Sequence, residues 1–384
     1  MYAQVFLLNG FDKPLWYKVP PHLAPLVHDG SLVSVPLQKR HEAALVTAIF
    51  HQLPAPLPFA LKDIADMGPF PGDTQYHEFL RLISRFYFLS PLFFYQRIRH
   101  FLKDKKILEH DVDPLVKEKG LDSAATVELT SEQQAVVEYL SPFITEPAYK
   151  PTLVHGVTGS GKTEVYKRLI QKTIEQGKTV VLMLPEVTLA LQFEMLLKQQ
   201  LPGITIIGFH SATKIAEKRE LWQKLMNKEP MLIVGVHLPI LLPIANLGLI
   251  IIDEEHERGF EEKKHPKLNS KEIALWRAKV YGVPMLLGSA TPCLSSLYNV
   301  QHNGWTMFSI TKRFAGKLPA IEKVILTQDK LGRKAFWVSR QLEAAIKDRL
   351  AKKEQIIIFL NRRGYSFLCS ASSVALFLSV LHAR

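Results

Sequence analysis

Gly156-Val157-Thr158-Gly159-Ser160-Gly161-Lys162-Thr163 decides how the chain reads. Glycine, four residues, glycine, lysine and threonine is the P-loop pattern. It stands where that pattern must stand, after the apolar run Thr152-Leu153-Val154 and before residues 164–176, whose spacing predicts a helix. Gly156, Gly159 and Gly161 let the backbone bend so that successive N–H groups of residues 156–163 converge on phosphate oxygens. The helix N-terminus behind them adds partial positive charge. Lys162 is expected to reach the β- and γ-phosphates of ATP, and Thr163 to offer a hydroxyl to Mg²⁺.

Downstream, Leu247-Gly248-Leu249-Ile250-Ile251-Ile252 runs into Asp253-Glu254-Glu255-His256. An apolar strand here delivers acids at its C-terminal end, where open α/β sheets bind ligands. Alone, an acidic strand end is more often a solvated turn or a helix start. Paired with the P-loop it reads as a Walker B site, with Asp253 holding Mg²⁺ and Glu254 polarising the attacking water. Gly288-Ser289-Ala290-Thr291-Pro292 ends another apolar run; alone it reads as a common loop, the alternative being that its small hydroxylated residues link the nucleotide site to a second site by hydrogen bonds.

Around these motifs, residues 179–184, 204–209, 231–234 and 285–287 are short apolar runs separated by amphipathic stretches. Such runs suit parallel strands buried on both faces, so the fold is expected to be α/β with a parallel sheet. Residues 1 to about 60 differ: runs at 3–8, 32–37 and 43–50 predict strands, with turns at Pro20-Pro21 and Asp29-Gly30. Pro54, Pro56 and Pro58 predict a stiff linker. Residues 74–104 have helical spacing through Phe79, Leu82, Ile83, Phe86 and Phe88, and residues 105–127 read as a polar connector.

Of 384 residues, 47% are hydrophobic, 22% charged and 10% aromatic, which excludes a disordered chain and supplies a sizeable core. The net charge of +12 favours a polyanionic partner, against the alternative of a basic but ordinary soluble enzyme. Two cysteines, Cys293 and Cys369, are too few for a disulfide framework and suit a reducing cytosol. The N-terminus lacks the basic region of a secretory signal, so a cytoplasmic protein is expected. Residues 364–383 carry no Asp, Glu, Lys or Arg and are long enough to cross a bilayer. Five serines and the preceding Asn361-Arg362-Arg363-Gly364 turn argue against a span.

The ordered set GSGKT, DEEH and GSATP resembles motifs I, II and III of superfamily 2 helicases. Leu129-Thr130-Ser131-Glu132-Gln133 is similar to the adenine-reading segment before motif I, with Gln133 reading the base. Leu184-Pro185-Glu186-Val187-Thr188-Leu189 resembles motif Ia, and His210-Ser211 followed by Glu217, Arg219 and Trp222 resembles a further DNA-contacting stretch. Thr311-Lys312-Arg313 with Leu318-Pro319 resembles the junction between two motor lobes, and Phe359-Leu360-Asn361-Arg362-Arg363-Gly364-Tyr365 the start of the second. Together these resemble the PriA family of replication-restart DNA helicases over residues 1–365.

The resemblance implies a RecA-like P-loop lobe at residues 128–310, behind a β-rich 3′-end DNA-binding domain with a helical C-terminal part at 1–104. A linker and the start of a second lobe follow at 311–365, then an aberrant tail at 366–384. It implies ATP and Mg²⁺ as ligands, 3′-to-5′ unwinding of stalled forks, and primosome and single-strand-binding proteins as partners of a monomer. It implies DNA contacts at Glu186, Thr188, His210, Ser211 and Arg362. Phe260 in the loop after DEEH is either a DNA-stacking residue or a packed Phe in an ordinary charged loop.

Four departures qualify it. Leu15-Trp16-Tyr17 stands where the family has a Phe-Asp-Tyr type triplet, which puts 3′-end recognition in doubt, and Asp12 is a nearby acid. Residues 105–127 are too few for the family's winged helix. Val234-Gly235-Val236-His237-Leu238 replaces a Gly-Thr-Arg-Ser-Ala type segment, leaving His237 as a hydrogen-bonding or plain surface residue. After Tyr365 the family's zinc module and motifs V and VI do not follow, so no zinc site is expected from Cys369 alone. The tail reads as a premature end or a shifted frame, with a short paralogue as the alternative, and ATP hydrolysis is expected to be poor without motif VI arginines. Residues 340–365 are expected to form one helix and one strand. Two competing readings are a non-catalytic DNA-binding protein with a structural P-loop and a P-loop enzyme acting on a small molecule; the charge argues against the latter.

Overall fold

The computed structural model describes residues 1–11, 13–53, 59–68, 70–102, 128–313, 320–325, 338–359, 369–371 and 374–376. The Pro54–Pro58 linker, the 105–127 connector, Asp12 and Arg362 lie outside the described residues, as does most of the tail. The chain divides into two compact units, Met1–Gly316 and Lys317–Arg384.

The first unit opens with an antiparallel sheet of β1 (Tyr2–Leu7), β2 (Leu15–Lys18), β3 (Leu32–Leu37), β4 (Arg40–Phe50) and β5 (Asp66–Met67), ordered β2-β1-β4-β3-β5. Alternation along β1 turns Ala3, Val5 and Leu7 into a small core with Val33, Val35, Ala44 and Val46. The two strands that the sequence reading missed, β2 and β5, are four and two residues long, too short for a period to show.

The single helical stretch expected at 74–104 is two helices, α1 (Tyr76–Tyr87) and α2 (Pro91–Leu102). Phe88 caps α1 in the left-handed region, with φ 54°, and Pro91 starts α2, where a missing N–H costs nothing. Phe79 and Ile83 are buried as expected, whereas Phe88, placed on the same face by spacing, is 95% exposed because the helix has already ended.

Both helices pack into the core of the following domain, a cluster that also takes in Leu8, Leu32, Ala43 and Leu45 of the β domain. Tyr76 Oη donates to Leu241 O at 2.5 Å, Tyr281 Oη donates to Asp73 Oδ2 at 2.5 Å, and Arg97 meets Glu262 through two N–H···O bonds of 2.6 Å. The fully buried Arg277 guanidinium donates to Ile240 O and lies 5.3 Å from the Phe79 ring centre.

Next come α3 (Ser131–Thr145), β6 (Pro151–Gly156), α4 (Lys162–Glu175), β7 (Thr179–Met183), α5 (Val187–Gln200), β8 (Ile206–Phe209), α6 (Ile215–Met226) and β9 (Leu232–Gly235). They continue with β10 (Leu247–Ile252), α7 (Ser270–Tyr281), β11 (Met285–Ser289), α8 (Leu294–His302) and β12 (Thr306–Ile310). The sheet order is β12-β6-β11-β10-β7-β9-β8, parallel at every pairing. Every residue of β7 and β10 is buried, which is why both read as unbroken apolar runs. The fold class expected from the sequence, a parallel α/β lobe behind a small antiparallel β domain, is the fold observed.

In the second unit, α9 (Arg340–Ala351) has no buried residue. The strand expected after it does not form over residues 354–359, which are irregular. In the tail, β13 (Cys369–Ala371) pairs antiparallel with β14 (Val374–Leu376). Among the described residues no helix is long and apolar enough to cross a membrane.

Candidate functional site

The C-terminal ends of β6 and β10 bring the two strongest motifs together. A cavity of about 400 Å³ is lined by Thr158, Gly159, Ser160, Gly161, Lys162, Thr163, Asp253 and Glu254, with Glu164, Leu189 and Phe193 at its sides. Gly161, at φ 80°, is the N-cap of α4, a conformation glycine adopts without a Cβ penalty. Gly156 closes the loop: a Cβ there would stand 2.5 Å from Ser160 Oγ and 3.1 Å from Lys162 Cγ. Lys162 is 8% exposed, and its Nζ donates to Gly156 O at 2.9 Å, holding the loop against the helix start. Ser160 Oγ is buried without a hydrogen-bond partner. A cradle of backbone around a lysine, an unsatisfied hydroxyl and two facing acids fits a phosphate group with a divalent cation.

Asp253 follows β10 and is almost fully buried, and that burial raises its carboxyl pKa above the ordinary range against the lowering effect of a hydrogen bond from Tyr166. Tyr166 Oη donates to Asp253 Oδ1 at 2.7 Å. Glu254 adopts φ 51°, in the sparsely populated left-handed region, as the chain turns off the strand. Glu255, which the sequence reading left without a role, is buried with three donors on its carboxylate. They are Lys271 Nζ at 2.8 Å, Ser296 Oγ at 2.8 Å and the Cys293 backbone N–H at 2.8 Å. These contacts hold its pKa below the usual value although burial pushes the other way. Nothing in the local pattern separates Glu255 from its neighbours; its partners come from α7 and α8, far along the chain.

The Gly288–Pro292 segment is hydrogen-bonded to this turn. His256 Nδ1 and Ser289 Oγ are 2.8 Å apart, Ser289 Oγ accepts from Thr291 N at 3.1 Å, and Ala290 O lies 3.2 Å from His155 Nε2.

Gln133, expected from the resemblance to read the base, makes its contacts within the fold. It is fully buried: Nε2 donates to Ser160 O at 2.9 Å, and Oε1 accepts from Thr130 N at 2.9 Å. Thr130 Oγ1 in turn accepts from Gln133 N, so the pair is a capping box at the start of α3. The glutamine thus ties α3 to the P-loop backbone. Thr130→Ala is expected to cost about 0.5–2 kcal/mol, read as a lowered unfolding midpoint, because α3 loses its cap.

Two profile matches divide the chain in the same way as the fold. Residues 4–96 match the "3'DNA-binding domain (3'BD)" of PriA and residues 130–300 match "DEAD/DEAH box helicase". Proteins named "Replication restart protein PriA" are 31% identical over 377 residues in Rickettsia felis, covering 96% of this chain, and 35% identical over 251 residues in Bacillus subtilis, covering 65%. The chain belongs to the PriA family. It spans 55% of the length of the R. felis relative and 31% of the B. subtilis one. Among solved structures, RecG bound to a three-way DNA junction is 22% identical, covering 65% of this chain and 31% of that one, with a TM-score of 0.38.

The residues that resembled PriA-family DNA contacts separate into two groups. Glu186, Thr188 and Ser211 are exposed beyond the ends of β7 and β8. His210 is 5% exposed and lies 3.5 Å from Glu194 Oε2, and Trp222 is fully buried in the core, so neither presents a side chain to a large ligand. Phe260 is corrected in the same direction. It is 1% exposed on the 3-10 turn Arg258–Phe260, and Ser270 Oγ donates to its carbonyl at 3.0 Å, so its ring packs in the core and cannot stack on a base. The loop charge after it, Glu262, is committed to Arg97. His237 is half-buried with Nδ1 3.0 Å from Ser270 Oγ, a hydrogen-bonding residue within the fold. Trp16, in the place of the PriA-family acid, packs its ring 4.9 Å from that of Phe50.

Proposed function

We propose that this chain is the DNA-engaging ATP-binding motor of a replication-restart helicase, and that Lys162, Thr163, Asp253 and Glu254 carry its nucleotide chemistry. The observation that supports this is their convergence with the 158–161 loop on one cavity, reached from opposite ends of the chain segment 156–254. In this reading the loop N–H groups and Lys162 bind the β- and γ-phosphates, and Thr163 and Asp253 hold Mg²⁺. A divalent cation held there would supply positive charge to offset that of the phosphate. Glu254 orients the attacking water and accepts its proton. The raised pKa of Asp253 supports a cation role, since a buried carboxylate regains stability beside a positive charge.

DNA is the proposed partner, engaged by the antiparallel β domain at a 3′ end and by Glu186, Thr188 and Ser211 beyond the parallel sheet. Unwinding in the 3′-to-5′ direction, primosome and single-strand-binding partners, a monomeric state and a cytoplasmic setting belong to the same proposal. So does weak turnover: among the described residues no arginine lines the phosphate cavity, and such a residue is worth about 10³–10⁵ in rate. Assayed as the 384-residue polypeptide, the protein is expected to bind ATP·Mg²⁺ and forked DNA and to hydrolyse ATP far below a normal helicase rate. Equilibrium binding with a fluorescent ATP analogue and a DNA-stimulated phosphate-release assay check both halves. Full helicase turnover would refute the weak-turnover half, and absent nucleotide binding would refute the site.

A further inference from the structure

Tyr166 sits on α4 one turn after Thr163, where the nucleotide reading has no use for it. It is 1% exposed among Val136, Leu169 and other apolar residues of the lobe core. A tyrosine buried there needs a hydrogen-bond acceptor, and a backbone carbonyl would serve. Its acceptor is instead Asp253 Oδ1 at 2.7 Å, on the carboxylate assigned above to Mg²⁺.

The neighbouring strand is shaped around this contact. Gly288 lies on β11 beside β10, and a Cβ there would overlap the Tyr166 hydroxyl and come within 3.0 Å of Asp253 Oδ1. Gly288 has no need of a left-handed backbone, since it lies in a regular strand. The room it leaves is room for the phenol.

We infer that Tyr166 is a positioning residue: its hydroxyl holds Asp253 Oδ1 in the space left open by Gly288 and so orients the carboxylate for a divalent cation. The inference rests on the nucleotide reading given above. A hydrogen bond to a charged group aligns one oxygen and thereby sets where the other points.

Tyr166→Phe removes the hydroxyl and keeps the ring. Affinity for mant-ATP, measured on the 384-residue chain with Mg²⁺ and again in EDTA, separates orientation from packing. The variant is expected to lose about tenfold of the affinity gained on adding Mg²⁺, the scale of one charge-assisted hydrogen bond, with binding in EDTA altered less than about twofold. A wild-type Mg²⁺ response in the variant, or equal losses with and without the metal, overturns the inference alone. No Mg²⁺-dependent binding by the wild-type chain overturns the nucleotide reading and the inference with it. Thermal unfolding supplies a second readout that needs no nucleotide. Gly288→Ala is expected to lower the midpoint in the wild-type background and to lower it less in the Tyr166→Phe background; equal decrements would overturn the steric half of the inference.

Discussion

Lys162→Ala is expected to weaken ATP binding by about 10–150-fold, the equivalent of losing one charge-assisted hydrogen bond to phosphate. The lysine is 8% exposed and already directed along the loop by its bond to Gly156 O, so little side-chain freedom is lost when a phosphate replaces that carbonyl. Isothermal titration with ATP·Mg²⁺ reads the change. DNA affinity measured without nucleotide is expected to stay near the wild-type value, because no proposed DNA contact lies on the loop. A variant that binds ATP as well as the wild type would return the P-loop to a structural role and favour a non-catalytic DNA-binding protein.

Glu255→Ala is expected to cost about 3–5 kcal/mol of stability, the scale for breaking one side of a buried ion pair. Lys271 would be left with its side chain only 13% exposed and no carboxylate, and Cys293 N–H and Ser296 Oγ would lose their acceptor. The penalty is one of desolvation, so replacing both charges recovers much of it: Glu255→Leu with Lys271→Met is expected to unfold at higher denaturant than Glu255→Ala alone. Chemical denaturation followed by tryptophan fluorescence checks both. A loss below about 1 kcal/mol in Glu255→Ala would show that the carboxylate is not the anchor of the 288–293 turn.

These two residues show where local pattern suffices and where it fails. Lys162 was legible because a P-loop is a contiguous device: the glycines, the lysine and the helix start that it needs all lie within eight residues. Glu255 was not, because its partners lie 16, 38 and 41 residues away and only the packing of α7 and α8 against β10 assembles them. Phe260 was misjudged for a related reason. Its residue type fits a DNA-stacking ring, but burial at 1% commits it to the interior. The Thr130–Gln133 spacing does carry a capping-box signal, and the structure uses it that way.

By itself the sequence determined the α/β class, six of the seven strands of the parallel lobe and the positions of Lys162, Thr163, Asp253 and Glu254; it missed the half-exposed β12. Fully buried strands and a phosphate loop impose short-range patterns of composition that need no tertiary context. Only the tertiary structure decided that α1 and α2 join the core of the motor lobe, that Phe260 and Trp222 face inward, and that Tyr166 and Gly288 enclose the Asp253 carboxylate. Each of these depends on which distant side chain fills a given volume, and close packing settles that through neighbours that the chain brings together only when it folds.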